Sequence, residues 1–204
     1  MQLAEINPTV IYKDKISLGD SLEKEEFLDN LISNNVGLSQ RMDVLDLDLF
    51  SDLRSQVYSH IKWYEQNICG FNEEISLYIT DSWYRETIPG NDHPIHNHPN
   101  SLLSGVIYLN VPENSGHHSK LNFETGHFIF KGFHFDYYQN VNKYNAKSTF
   151  ISVETGDIVI FPSWMEHYVT DNESTNQSRK IISFNTFIKG TVTCRNSFPT
   201  TIQL

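Results

Sequence analysis

The chain of 204 residues predicts a mainly β protein with flanking helices, an α+β arrangement built on a jelly-roll core. Three observations predict it. Two amphipathic helical stretches come first, the apolar period changes to two from Ile75 onward, and many short strand-like runs then follow, each closed by turn residues.

The first helical stretch opens on Asp20-Ser21-Leu22-Glu23, which has the form of a capping box, and continues through Phe27, Leu28, Leu31 and Ile32 at helical spacing. A second helix is expected from about Asp48 to Cys69, with Phe50, Leu53, Val57, Ile61, Tyr64 and Ile68 on one stripe. Gly70 stands where a left-handed residue commonly ends a helix. Ile75, Leu77 and Ile79 then alternate with Ser76, Tyr78 and Thr80. Further strand-like runs are Leu102–Val111, Lys120–Glu124, His127–Phe135, Thr149–Val153, Asp157–Phe161, His167–Thr170, Lys180–Ile188 and Thr191–Arg195. Turns fall at Pro89-Gly90-Asn91, Pro112-Glu113-Asn114, Thr155-Gly156-Asp157 and Asp171-Asn172-Glu173. No repeat or low-complexity linker interrupts the pattern. One domain over 1–204 is expected, with 1–73 a mostly helical support and 74–204 the jelly-roll core.

Composition narrows the function. Lys and Arg number 15 against 25 Asp and Glu, a formal charge of −10. Such a surface repels phosphate backbones, so nucleic acid is not an expected partner. No stretch approaches the roughly 18 apolar residues of a membrane span, and Met1 to Asp20 contain no apolar run of the secretory kind. A cytoplasmic protein is expected, in the host cytoplasm if the chain is phage-encoded. The two cysteines, Cys69 and Cys194, make no disulfide framework. The sequons at Asn172 and Asn176 are chance matches in a polar loop.

The histidines carry the chemical signal. His93, His96, His98, His117, His118, His127 and His134 fall within 42 residues, and His167 follows later. On a strand starting in His93-Pro94-Ile95-His96-Asn97-His98-Pro99, His96 and His98 would point to one face about 6.6 Å apart, close enough to share a metal. Imidazole suits iron, zinc, copper and nickel, so ligand type alone leaves the metal open. A third ligand has to come from another strand. His167 is the candidate, following Gly156-Asp157-Ile158-Val159-Ile160-Phe161-Pro162, a turn, a buried strand and a proline break. Arg179 opens the next strand, where a buried guanidinium could clamp a carboxylate with two parallel hydrogen bonds.

The run from His93 to Asn110, together with Gly156-Asp157 through His167 and then Arg179 and Phe184-Asn185, resembles the 2-oxoglutarate/Fe(II)-dependent oxygenases. The likeness is to a bacterial and phage group near the prolyl hydroxylases, and it spans most of Ser76 to Lys189. The resemblance implies a double-stranded β-helix and an EC 1.14.11-type dioxygenase, oxidising a substrate C–H bond with O2 while 2-oxoglutarate is oxidatively decarboxylated to succinate and CO2. Residue by residue it implies His96 and His167 as Fe(II) ligands, Arg179 on the far carboxylate of 2-oxoglutarate, and Tyr108 beside that same carboxylate. The departure is His98, where most of the superfamily has Asp or Glu. His98 is expected as the third ligand, with Asp92 as its substitute. Three neutral imidazoles leave a more cationic site, which a dianionic co-substrate would balance.

The resemblance leaves the primary substrate open between a peptidyl group and a small molecule, and an exposed edge of the roll could pair in a homodimer. Two other readings predict different behaviour. A three-histidine thiol dioxygenase would need no 2-oxoglutarate, and a non-catalytic jelly-roll binding or structural module would turn over nothing. No Gly-x-Ser-x-Gly elbow, P-loop or dinucleotide fingerprint is present. His60 needs no special role on its helix, and His117-His118 read as an exposed loop. The aromatic segment from Phe123 to Tyr144, with His127, His134 and Tyr137, either extends the core or shapes a substrate mouth.

Overall fold

The period-two runs pair into two antiparallel sheets, as seen in a computed structural model that describes residues 8–19, 25–32, 37–112, 119–125, 140–170, 176–194 and 200–204. In chain order the strands are β1 (Tyr12–Lys15), β2 (Ile75–Thr87), β3 (His93–His96), β4 (Leu103–Asn110), β5 (Lys120–Glu124), β6 (Ser148–Ser152), β7 (Asp157–Pro162), β8 (His167–Val169), β9 (Arg179–Cys194) and β10 (Thr200–Gln203). The larger sheet runs β1-β7-β4-β9-β10, with β2 also on β9, and the smaller runs β3-β8-β5-β6. This is the jelly roll that the sequence predicts.

Strand β4 explains why the sequence there is a nearly unbroken apolar run. Its sheet is covered on both sides, so both faces of the strand leave water. Leu103, Ile107 and Leu109 join Ile158, Ile160, Ile182 and Phe184 in a core beneath the helices. Val106 and Tyr108 join Val159, Phe161, Ile181, Leu121 and Phe123 in the core between the sheets. Leu53, Val57 and Ile61 of helix α2 (Ser51–Tyr64; α1 is Glu25–Asp29) close the first core. Burying each of these side chains contributes about 1.5–3 kcal/mol.

The helical expectations hold in part. The second helix is three pieces: a 3-10 turn at Asp48–Phe50, α2, and a π turn at Glu65–Cys69. The stripe is buried from Phe50 to Tyr64, but Ile68 is 39% exposed, because the wider π turn carries it off the helical phase. That turn brings the buried Glu65 carboxylate to the Leu77 N–H and to Lys62. Gly70 is left-handed, φ 64°, as expected. The first helix is described over Glu25–Asp29, with Leu28 buried and Phe27 exposed, and it stops short of the expected Leu31 and Ile32, where the chain turns and Ile32 bridges to Ser39. The Asp20–Glu23 box lies outside the described residues. So do His117-His118, the 127–135 run with its histidines and aromatics, Glu113-Asn114, and Asp171-Asn172-Glu173.

Two strands, β1 and β10, are additional to the expected set, and the strand expected from His93 is the short β3. β1 is polar in sequence and sits at the sheet edge, where Lys13 and Lys15 reach the buried Asp157 at 2.9 and 2.8 Å. β3 contains Pro94, which a strand tolerates at an edge, and β3 is an edge. β10 pairs with the end of β9. Lys180–Ile188 and the run from Thr191 to Cys194 also form one strand rather than two, Arg195 lying outside the described residues. Gly190 sits between them at φ 124°, where the Glu74 carbonyl would meet any Cβ.

Gly105 faces Phe184 across the β4–β9 pair, and a Cβ there would overlap the fully buried ring. Gly105→Ala is therefore expected to lower the unfolding free energy by about 1–3 kcal/mol, read by urea denaturation. An unchanged midpoint would mean that β4 and β9 do not pack this closely.

Candidate metal centre

Antiparallel pairing of β3 with β8 sets His96 directly opposite His167. Their ring centroids are 4.3 Å apart. The register slips by one residue between His93 and His96, where Pro94 withholds a ladder donor. β3 ends at His96, so the expectation that one strand presents both His96 and His98 does not hold. His98 instead lies past the strand end, and its N–H donates to the Ser163 carbonyl at 3.0 Å. That bond turns the chain back over β8. One side-chain nitrogen from each of His96, His98 and His167 then falls within 4.8 Å of the others.

Backbone carbonyls orient two of the rings. His96 Nδ1 lies 2.8 Å from the Pro94 carbonyl, and His167 Nδ1 lies 2.9 Å from that of Met165. A proton on Nδ1 leaves the Nε2 lone pair free for a metal. The Nε2 atoms of His98 and His167 are 3.3 Å apart. Two nitrogens each about 2.1 Å from one cation would stand roughly 3.0–3.4 Å apart, between the right-angle and tetrahedral limits. The donor set therefore fits a divalent transition metal, held from one side.

Burial keeps these rings neutral. Desolvation, then the His96 ring, pushes His98 down to about 4. Desolvation takes His167 to about 3 despite its Met165 contact, and it also lowers His96. His93 falls to about 2, through desolvation and then Arg85. Each folded-state value lies below the unfolded value of about 6.5, so the unfolded chain binds more protons as pH falls through that value. Stability is full above about pH 6.5 and declines below it. Urea unfolding of the metal-free protein is expected to show falling stability from pH 6.5 towards 4, with a shallower slope in His167→Gln. A flat profile in wild type would contradict buried neutral imidazoles.

Arg179 opens β9 and is 1% exposed. Its guanidinium carbon is 5.0 Å from the centroid of the fully buried Tyr108 ring, a cation–π contact. Neither Arg179 Nε nor the Tyr108 hydroxyl has a hydrogen-bond partner, and no ion pair reaches Arg179 among the described residues. Burial raises the Tyr108 pKa although Arg179 opposes it, so the phenol stays a neutral donor. Arg179 lines the same cavity as His93, His96, His98 and His167. Two unsatisfied buried donors beside a metal-binding cluster fit a carboxylate-bearing co-substrate.

Asp92 does not join the cluster. It is exposed on the loop before β3, and its carbonyl accepts from Arg85 at 3.4 Å. The sequence reading also passed over residues that shape the cavity. Trp83 stacks on His98 at 5.6 Å, and His93 packs on His96 at 4.1 Å. Ser104 lines the cavity and binds Ser163 and Asn185 at 2.8 Å each. Extending the period-two reading of β2 past Ile79 would have misplaced Trp83 and Arg85, because a bulge between Ile79 and Asp81 moves them to the face opposite Leu77 and Ile79.

Residues 81–185, about half of the chain, match the family described as "Putative 2OG-Fe(II) oxygenase". No curated protein sequence matches the chain. Among solved structures, HygX from Streptomyces hygroscopicus, with nickel, 2-oxoglutarate and hygromycin B bound, superposes with a TM-score of 0.58 at 10% identity, covering 87% of this chain and 82% of that one. A Pseudomonas putida prolyl-4-hydroxylase gives 0.56 at 12% identity, over 87% and 92%. The viral collagen prolyl hydroxylase of Paramecium Bursaria Chlorella virus-1 gives 0.54 at 13% identity, over 92% and 96%. At these identities the three structures establish the fold alone.

Proposed function

The chain belongs to the 2OG-Fe(II) oxygenase family, and on that premise we propose that it is an Fe(II)- and 2-oxoglutarate-dependent hydroxylase of a small-molecule or peptide substrate. His96, His98 and His167 are its metal ligands, Arg179 with Tyr108 holds the far carboxylate of 2-oxoglutarate, and residues 74–204 form its catalytic core. The observation that carries this reading is Arg179: a buried guanidinium without a carboxylate partner among the described residues, in one cavity with three convergent imidazoles.

When bound, iron with 2-oxoglutarate and O2 supplies C–H oxidation coupled to decarboxylation of the co-substrate to succinate and CO2. The chain's own residues supply position. The Pro94 and Met165 carbonyls fix the tautomers of His96 and His167, and Trp83 braces His98 from its face. Arg179 and Tyr108 offer donors to one carboxylate, which orients the diacid with its other end towards the imidazoles. Phe161, Leu121, Val106 and Val169 keep that end of the cavity poor in water. With three neutral ligands, the charge of the metal is balanced mainly by the co-substrate, so metal and 2-oxoglutarate bind with positive cooperativity.

Neighbours that handle hygromycin B and prolyl groups support both a small-molecule and a peptide substrate. The charge of −10 disfavours nucleic acid. The donor set also admits a second reading, a thiol dioxygenase, because it lacks a carboxylate. Incubation with Fe(II), O2 and 2-oxoglutarate separates the two. Succinate formed slowly without substrate, and not by Arg179→Met, supports the oxygenase. O2 uptake with a thiol, and no succinate, supports the other.

A further inference from the structure

A second guanidinium stands on the sheet face that borders this cavity, with no ion-pair partner among the described residues. Arg85 lies on β2, which pairs along its length with β9: Thr87 opposes Arg179, Arg85 opposes Ile181, and Trp83 opposes Ser183. Alternation puts Trp83, Arg85 and Thr87 on the face shared with Arg179, Ile181 and Ser183. Trp83, Arg179, Ile181 and Ser183 all line the metal cavity, which fixes that face as the inward one. Arg85 and Arg179 are diagonal cross-strand neighbours, a relation that places Cβ atoms about 7–8 Å apart.

Arg85 is poorly satisfied there. Its Nε is buried without a partner, as is the hydroxyl of Thr87, itself 2% exposed. A terminal nitrogen reaches the Asp92 carbonyl at 3.4 Å, a long contact. No carboxylate lies within ion-pair distance among the described residues. Burial and then the Arg179 charge lower its pKa, with the Asp92 carboxylate opposing them in part, which places the two cations within electrostatic reach. His93 and His96 feel the Arg85 charge as well. Arg85 thus flanks the metal cluster on the His93 side.

The charge count then matters. A 2-oxoglutarate dianion has one carboxylate for the metal and one for Arg179, which leaves none for Arg85. Resting on the function proposed above, we infer that Arg85 is a second anion-recognising residue and that the primary substrate carries a carboxylate or phosphate group that docks on it. The planar guanidinium fork suits either oxyanion. A groove that continues beyond His93 is lined by Asp92 and Glu124, so the substrate carries a single anionic group rather than a polyanionic chain.

The test is 15N NMR of the arginine Nε–H groups in the Zn(II)-loaded protein, with Arg85→Gln and Arg179→Gln supplying the assignments. Addition of 2-oxoglutarate is expected to shift the Arg179 signal. Acetate or inorganic phosphate, added on top of saturating 2-oxoglutarate, is expected to shift the Arg85 signal saturably, and whichever acts at lower concentration names the class. In Arg85→Gln the affinity for that second anion falls at least tenfold, while 2-oxoglutarate affinity stays within a factor of about two. If Arg85 shifts fully with 2-oxoglutarate and no second anion binds, it shares the co-substrate and the inference is wrong. It is equally wrong if 2-oxoglutarate shifts Arg179 but neither anion reaches Arg85. If 2-oxoglutarate moves neither arginine, the underlying reading fails first and takes the inference with it.

Discussion

Arg179→Met is expected to unfold at a higher temperature than wild type when no ligand is present, and to lose stabilisation by 2-oxoglutarate altogether. The two effects have opposite signs and one cause. Arg179 is a buried charge with an unpartnered Nε and no ion pair among the described residues, so the folded chain bears a desolvation penalty that the Tyr108 cation–π contact offsets only in part. A methionine of similar length fills the space beside Tyr108 without that penalty, and such replacements have stabilised folds by about 1–4 kcal/mol. Once Mn(II) and 2-oxoglutarate are present, the ranking reverses. A ligand at ~100 times its dissociation constant adds about 2.7 kcal/mol, roughly 5–11 °C for a chain of this size. Anaerobic thermal unfolding with Mn(II), with and without 2-oxoglutarate, reads both effects. A variant that is destabilised without ligand and still responds to 2-oxoglutarate would show that Arg179 serves the fold.

His167→Ala is expected to weaken metal binding by at least ~100-fold, more than the loss of an outer-sphere partner usually costs, and to remove most of the 2-oxoglutarate response with it. The second loss follows because the metal accounts for one end of the diacid. His93→Gln and Asp92→Asn are the controls. His93 packs on His96 but is not in the converging set, and Asp92 is exposed outside it. Both variants are expected to hold Mn(II) within a few-fold of wild type, measured by equilibrium titration. A large loss in Asp92→Asn, with His98→Ala unaffected, would return the third ligand to the carboxylate.

The sequence displayed the large sheet best where both faces are buried. Leu103–Leu109, broken only by Ser104, and Ile158–Phe161 read as apolar runs because helices cover one side and the second sheet the other. It displayed edges worst. Tyr12-Lys13-Asp14-Lys15 has no apolar period, and its place in the sheet depends on Asp157, whose charge those two lysines neutralise from 142 or more positions away. The three histidines were legible as a group because they lie two residues apart and then after a strand and a proline. The way they meet was not. It depends on the His96–His167 register and on the His98 bond to Ser163, which are properties of pairing between distant segments. Arg85 and Trp83 were hidden for a related reason: only the register of β2 on β9 shows which way they face.

Anomalous diffraction at the iron edge, from crystals grown anaerobically with Fe(II) and 2-oxoglutarate, tests the central claim most directly. The account predicts one peak about 2.0–2.3 Å from a nitrogen of each of His96, His98 and His167, with a diacid reaching from that peak to the Arg179 guanidinium. A peak coordinated by His93 or Asp92 in place of His98, or a diacid that leaves Arg179 unpaired, would contradict it.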